Sequence, residues 1–202
     1  YQSDQIVPIV ICRLSPIGEG IQVLVYTPDQ RDLFARICGF FERMQYNIVE
    51  AKIYTTRRGY ALDSFLVLNS SGQNTHYRDA MSFIEFELKQ KLMIQMPLER
   101  PLAGRMSRHL KHFPVVPEVS IRPSETNEKT GYSILSVTSG DRPGLLSRIA
   151  YILVQYGISV HNAKITTLGE RAEDMFLIRG SALYDNKLLL RLQTDLIQQL
   201  QS

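Results

Sequence analysis

The chain has 202 residues, and its 23 Lys and Arg nearly balance 20 Asp and Glu, leaving a net charge of +3. A charge so small and so evenly spread argues against both a nucleic-acid machine and a membrane-surface protein. No apolar run approaches the ~20 residues that cross a bilayer, and no secretory signal opens the chain. Cys12 and Cys38 lie in apolar stretches without a partner motif, so both read as buried free thiols of a reducing, cytoplasmic compartment. The first residue is Tyr1 and not Met, which predicts a piece cut from a longer protein.

In chain order, residues 5–13 read as a strand, with Pro8 marking an edge or a bulge. After a turn at 15–20, a second strand at 21–26 leads into a polar corner. Leu33, Phe34, Ile37, Phe40, Phe41 and Met44 recur at helical spacing, which predicts a helix over 33–45. Strands at 47–55 and 60–68 flank the Arg57-Arg58-Gly59 turn, and a long amphipathic helix covers 76–95. Between Pro97 and Pro117, two further prolines and the basic Arg100, Arg105, Arg108 and Lys111 mark a linker. Strands at 118–122 and 132–138 and a helix at 145–156, stopped by Gly157, come next. Strands at 158–167 and 172–179 and a closing helix at 187–201 complete the chain.

Sliding the sequence by 112 positions lays Asp29 on Asp141, Leu33 on Leu145, Arg36 on Arg148 and Ile37 on Ile149. The same shift lays Ala51-Lys52-Ile53 on Ala163-Lys164-Ile165 and Thr55 on Thr167. One residue is then lost, after which Asp63-Ser64-Phe65 falls on Asp174-Met175-Phe176. The chain is therefore two copies of one unit. The predicted domains are 1–96 and 118–202, joined by the linker 97–117. Each unit reads ββαββα, whereas the ferredoxin-like order is βαββαβ. The predicted class is thus α+β: two circularly permuted ferredoxin-like units, each an antiparallel sheet with two helices on one face, pairing through their edges.

The corner Asp141-Arg142-Pro143-Gly144-Leu145-Leu146 stands between strand and helix, where backbone N–H groups at the helix start are left unpaired. Such a start suits a small carboxylate, although it serves equally as a plain helix cap. The first copy reads Asp29-Gln30-Arg31-Asp32-Leu33. There Asp32 sets a negative charge where an anion would dock, so this copy either binds weakly or acts only as partner surface. Three rival readings stand beside ligand binding. Arg58-Gly59-Tyr60-Ala61 followed by Phe65 matches part of an RNA-recognition strand, but Leu62 and Asp63 break the pattern. His109 and His112 have the spacing of one helix face, yet no third ligand is near. A purely dimerising module is the third, because exposed edge strands favour self-association.

Two features resemble the ACT domain, a small amino-acid-binding regulatory module: the Asp141-to-Leu145 corner and the following Gly157-Ile158-Ser159-Val160. Two further stretches narrow the resemblance: Tyr26-Thr27-Pro28-Asp29 with Leu33-Phe34, and Ala163-Lys164-Ile165-Thr166-Thr167 with Asp174 and Phe176. Nearly the whole chain is similar to the C-terminal tandem ACT region of the bacterial PII uridylyltransferase/uridylyl-removing enzyme family. That resemblance implies a longer nitrogen-regulating enzyme. It would move uridylyl groups from UTP onto the PII signal protein with Mg²⁺, remove them again, and sense glutamine through its ACT pair. It implies neither a cofactor nor catalysis in this piece. No His-Asp pair occurs, and Gly180-Ser181 lacks a following spaced Asp-x-Asp. A glutamine at the Gly144 corner would set its carboxylate on the helix-start amides and its ammonium on Asp141 or a nearby carbonyl. Its amide would reach His161 and Asn162 on the next strand, and Gly144 would let it approach the backbone.

Overall fold

The computed structural model describes residues 7–16, 18–70, 77–94, 97–102, 115–124, 131–168 and 171–201. The first unit runs β1 (Ile9–Leu14), β2 (Ile21–Pro28), α1 (Leu33–Arg43), β3 (Tyr46–Lys52), β4 (Tyr60–Asn69) and α2 (Tyr77–Ile94). The second runs β5 (Glu118–Pro123), β6 (Ser133–Gly140), α3 (Leu145–Gln155), β7 (Ser159–Lys164), β8 (Thr167–Leu168) and β9 (Arg171–Arg179). A short 3-10 turn at Ser181–Tyr184 and α4 (Asn186–Gln201) close it.

The sheet orders are β1-β2-β4-β3 and β5-β6-β9-β7, antiparallel at every step. In each, the first strand of the unit lies beside the second, where a ferredoxin-like fold carries its last strand. The permuted α+β fold read from the sequence is the fold observed, but the expected edge pairing is not: among the described residues the two sheets share no ladder, and β3 and β7 only lie near each other. Element ends differ. The first helix stops at Arg43, because Gln45 takes φ 59° and turns the chain back into β3. The strand expected over 158–167 divides, with β8 pairing only with β9 in a short hairpin.

Alternation decides which face is buried. Ile21, Val23, Val25 and Thr27 of β2 face Val67, Phe65, Asp63 and Ala61 of β4 in register, and all eight are buried beneath the helices. The second unit repeats this with Leu135, Val137 and Ser139 against Phe176, Asp174 and Ala172. In both stripes one aspartate occupies a place otherwise given to apolar residues. On the opposite face of the first sheet, Ile9, Ile11, Leu24 and Leu62 are exposed. Phe65 lies wholly in the core, so it offers no stacking platform for a base.

The two units share one core. Helix α1 packs on α3, and β3 lies alongside β7. Phe34 of α1 stacks on Phe65 of its own sheet at 6.4 Å and meets Phe176 of the other sheet edge-on at 6.1 Å. The start of the linker runs over both helices: Arg43 pairs with Glu99, and the Arg148 guanidinium donates to the Leu102 carbonyl at 3.1 Å.

Candidate functional site

The chain leaves β6 at Gly140 and enters α3 at Leu145 through Asp141, Arg142, Pro143 and Gly144. Gly144, the N-cap of α3, has φ 78°, and no side chain caps the helix. As in α1, no side chain caps the helix start, and the Leu145 N–H turns back to the Arg142 carbonyl at 3.2 Å. Glycine is required here twice. The left-handed φ disfavours a side chain, and a Cβ would collide with the Glu42 carboxylate, whose Cδ would lie 2.8 Å away. Glu42 belongs to the last turn of α1, in the other unit. The corner of the second unit thus faces the first.

Behind the corner, four charged residues line the seam: Glu42, Asp141, Arg142 and Asp174. Arg142 is 5% exposed; its Nη2 donates to the Gln199 carbonyl of α4, while Nε and Nη1 find no acceptor among the described residues. Burial, and then the nearby Arg148, push its pKa down. Asp174 is 1% exposed; its Oδ1 accepts the Thr166 N–H at 3.2 Å and its Oδ2 has no partner among the described residues. Burial pushes the Asp174 carboxyl up to about 7, against the lowering Thr166 bond and with help from the Asp141 charge. Glu42 Oε1 is likewise buried and unpartnered. Asp141 is raised as well, by burial, with the Arg142 N–H opposing.

These groups line a hollow of about 30 Å³ between the units. That is space for about one or two waters, so a larger head group enters only as the seam opens. Glu42, Tyr46, Asn47 and Gly144 also wall an outer cleft of about 230 Å³, together with Gln45, Ser70 and Pro143. The hollow and the cleft thus share four walls, Glu42, Tyr46, Asn47 and Gly144.

Of the sequence-predicted residues, Asp141, Arg142, Gly144, Leu145 and Leu146 line the hollow, and Pro143 lines the cleft. His161 and Asn162 do not reach it. His161 packs edge-on against Tyr132 at 4.9 Å, near Arg179 and Asp29; burial lowers its pKa and Asp29 opposes. Asn162 is exposed. The reason is topological: β9 lies between β6 and β7, so β7 is held away from its own unit's corner and stands near the other's.

The first-unit corner is tied up differently. Asp29 Oδ2 accepts from Thr55 Oγ1 at 3.0 Å and Asp32 pairs with Arg36 at 2.7 Å, whereas the turn bond from the Leu33 N–H to the Gln30 carbonyl at 3.0 Å is common to both corners, matched by Leu145 to Arg142 at 3.2 Å. Arg31 reaches toward Gly157 of the second unit, and Leu33 is buried. Both cysteines are free, as read from the sequence; Cys38 is buried, but Cys12 is only half-buried. Burial pushes both thiols up, Cys12 to about 12, so neither is a ready nucleophile. Among the described residues no helix is long and apolar enough to cross a membrane, and no three metal-ligating side chains gather. His109 and His112 lie outside the described residues.

Sequence reasoning missed Glu42 and Asp174 as site groups. Asp174 had a signal: it interrupts the inward stripe Ala172-x-Asp174-x-Phe176-x-Ile178. Glu42 had none, because its place depends on how the two units dock.

No protein-family model matches the chain. Among relatives, it is 53% identical over 191 residues to a bifunctional uridylyltransferase/uridylyl-removing enzyme of Nitrosospira multiformis, covering 95% of this chain and 21% of that protein. The protein of the same name in Chromobacterium violaceum is 53% identical over 190 residues, covering 94% of this chain and 22% of that protein. That of Aromatoleum aromaticum is 48% identical over 200 residues, 99% of this chain and 23% of that protein. An aspartate kinase structure from Synechocystis superposes with TM-score 0.46 at 14% identity, over 93% of this chain and 30% of that one. The chain therefore spans about a fifth of the curated relatives it matches. At this identity, along almost its full length, it is the homologue of one segment of the bifunctional uridylyltransferase/uridylyl-removing enzymes.

Proposed function

We propose that this chain is the regulatory, amino-acid-sensing part of such an enzyme, and that it binds glutamine at the Gly144 corner between its two units. In the longer protein, occupancy sets the balance between adding uridylyl groups to the PII signal protein and removing them, chemistry that resides with Mg²⁺ in other parts. One observation carries the reading: a helix start without a side-chain cap and buried groups of both charge signs, each with an atom unpartnered among the described residues, wall one hollow at the seam. The carboxylate of an amino acid suits the positive end of α3, and the amide tail fits the cleft past Asn47 and Ser70. Because both units supply walls, a ligand here favours one arrangement of the pair over others, which is what regulation requires.

Calorimetric titration of L-glutamine into the 202-residue chain tests this. A saturable heat is expected; no heat at millimolar ligand contradicts it. A melting screen of the twenty amino acids then identifies the ligand, since 100-fold excess over Kd stabilises by about 2.7 kcal/mol.

A second reading, self-association, is favoured by the exposed Ile9, Ile11, Leu24 and Leu62. Their repeat equivalents are the polar Glu118, Ser120, Ser136 and Glu173. Sedimentation showing the same assembly with and without glutamine is its expected result; a monomer under both conditions contradicts it.

A further inference from the structure

Helix α2 is apolar on two sides. Ile84, Leu88 and Leu92 turn into the core, where β1 lies alongside. On the opposite side, by helical spacing, stand Phe83, Phe86, Met93 and Ile94, which are 50, 61, 42 and 65% exposed. An outer helix ordinarily shows polar residues there, and one that is apolar on both sides belongs between two layers. None of the four lines the seam hollow or the cleft, and none belongs to the outer sheet face.

The repeat supplies an internal control. Laying Ile84, Leu88 and Leu92 on the buried Leu192, Leu196 and Leu200 of α4 sets Phe83 on Arg191, Phe86 on Thr194 and Met93 on Gln201. The core sides match and the outer sides do not. Leu188 and Leu190 of α4 are exposed as well, but two positions apart they face different ways and form no stripe. The second unit keeps the same helix without the apolar stripe, so the fold itself does not require it.

Two occupants compete for it: a second copy of this chain, and the remainder of a longer enzyme. Size decides between them. The four side chains offer roughly 400 Å², about half of what each partner buries in a stable complex of separate chains. A tethered partner needs less, because the covalent link holds it at a high effective concentration. The relatives extend over about five times the length of this chain, so most of such an enzyme lies outside the segment.

Resting on the reading of this chain as one part of a longer enzyme, but not on its ligand, we propose that the outer side of α2 is where the rest of that enzyme seats. Phe83 and Phe86 are the aromatic anchors of the contact, and the surface that receives them is apolar. The equivalent side of α4, with Arg191 and Thr194, stays in water.

Hydroxyl-radical footprinting read by mass spectrometry tests this, with the 202-residue chain and the full-length enzyme side by side. In the isolated chain, Phe83, Phe86 and Met93 are expected to oxidise readily, and equally fast at low and high protein concentration. In the full-length enzyme their rates are expected to fall roughly fivefold, as for a face that a tethered partner covers most of the time. The exposed Met175 and Tyr184 of the second unit are expected to keep theirs. The double variant Phe83→Arg, Phe86→Thr copies the outer side of α4 and is expected to return Met93 of the full-length enzyme to its isolated-chain rate. Equal rates in the two proteins, a fall at Met175 and Tyr184 as large as that on α2, or protection of Met93 that survives the double change would overturn the inference. Protection of the isolated chain that grows with concentration would give the stripe to a second copy and overturn it too. All these outcomes leave the longer-enzyme reading standing; a native gene encoding no further domain would sink both. The wild-type rates decide even where the variant fails to fold.

Discussion

Gly144 joins backbone strain, contact between units and ligand access at one Cα. With φ 78° and the Glu42 carboxylate against it, Gly144→Ala is expected to cost about 1–3 kcal/mol and to abolish glutamine binding. Denaturant unfolding and calorimetry on the same variant check both; a variant as stable as wild type that still binds contradicts the assignment. Asp63 and Asp174 form the second residue-scale feature. Each sits 1% exposed in an apolar stripe, each accepts a backbone N–H (from Tyr54 and Thr166), and burial pushes each up to about 7. The folded state therefore holds these protons more tightly than the unfolded chain, where an aspartate titrates near ~4. Their contribution to stability is full below about pH 4 and is lost as pH rises through about 7, at roughly 1.4 kcal/mol per pH unit per group. The ligand-free chain should accordingly be harder to unfold at pH 5.5 than at pH 8, and the Asp63→Asn, Asp174→Asn double variant should flatten that difference. An unchanged slope would remove these two carboxyls from the account.

Among the elements, α1 has the most to do. Leu33, Ile37 and Phe41 are buried, Phe41 meets Phe65 of its own sheet, Phe34 spans both sheets, and Glu42 in its last turn reaches the other unit's corner. Phe34→Ala is expected to cost about 3–5 kcal/mol, the usual range for emptying a buried aromatic site, and to weaken ligand binding as the seam loosens. Phe41→Ala should cost a similar amount, but its ring contacts are to Phe40 and Phe65 of its own unit. Equal loss of binding in the two, at matched stability, would contradict a seam-spanning role for Phe34. The helices and strands themselves were legible because apolar spacing follows the period of each element: Leu33, Ile37 and Phe41 along α1, and Ala61, Phe65 and Val67 along β4. Strand ends were less so. Thr55 makes only an isolated bridge to Ala61, and Thr167 pairs in a separate hairpin, because local turns and not apolar periodicity set where pairing stops. Half of the candidate site was legible too, since a glycine at a strand-to-helix corner announces itself. The other half was not: His161 and Asn162 were assigned by nearness in sequence, whereas the seam is closed by Glu42, Tyr46 and Asn47, more than 90 positions away by the residue numbers.

Across the whole molecule, duplication has left two copies of one fold whose corners have diverged. One corner is bonded through Asp29–Thr55 and Asp32–Arg36, and the other keeps buried charged groups that each have an atom unpartnered among the described residues. With α1 on α3 and one continuous core, the units should unfold together, in a single denaturant transition seen alike by tyrosine fluorescence and circular dichroism. Two resolved transitions would mean that the seam is weaker than the packing implies. The most direct test of the central claim is a crystal structure of this chain grown with L-glutamine. The account predicts a ligand in the seam, with its carboxylate toward the start of α3 and its amide in the cleft beside Asn47. A glutamine bound at the Asp29 corner, or a seam that stays closed at saturating ligand, would contradict it.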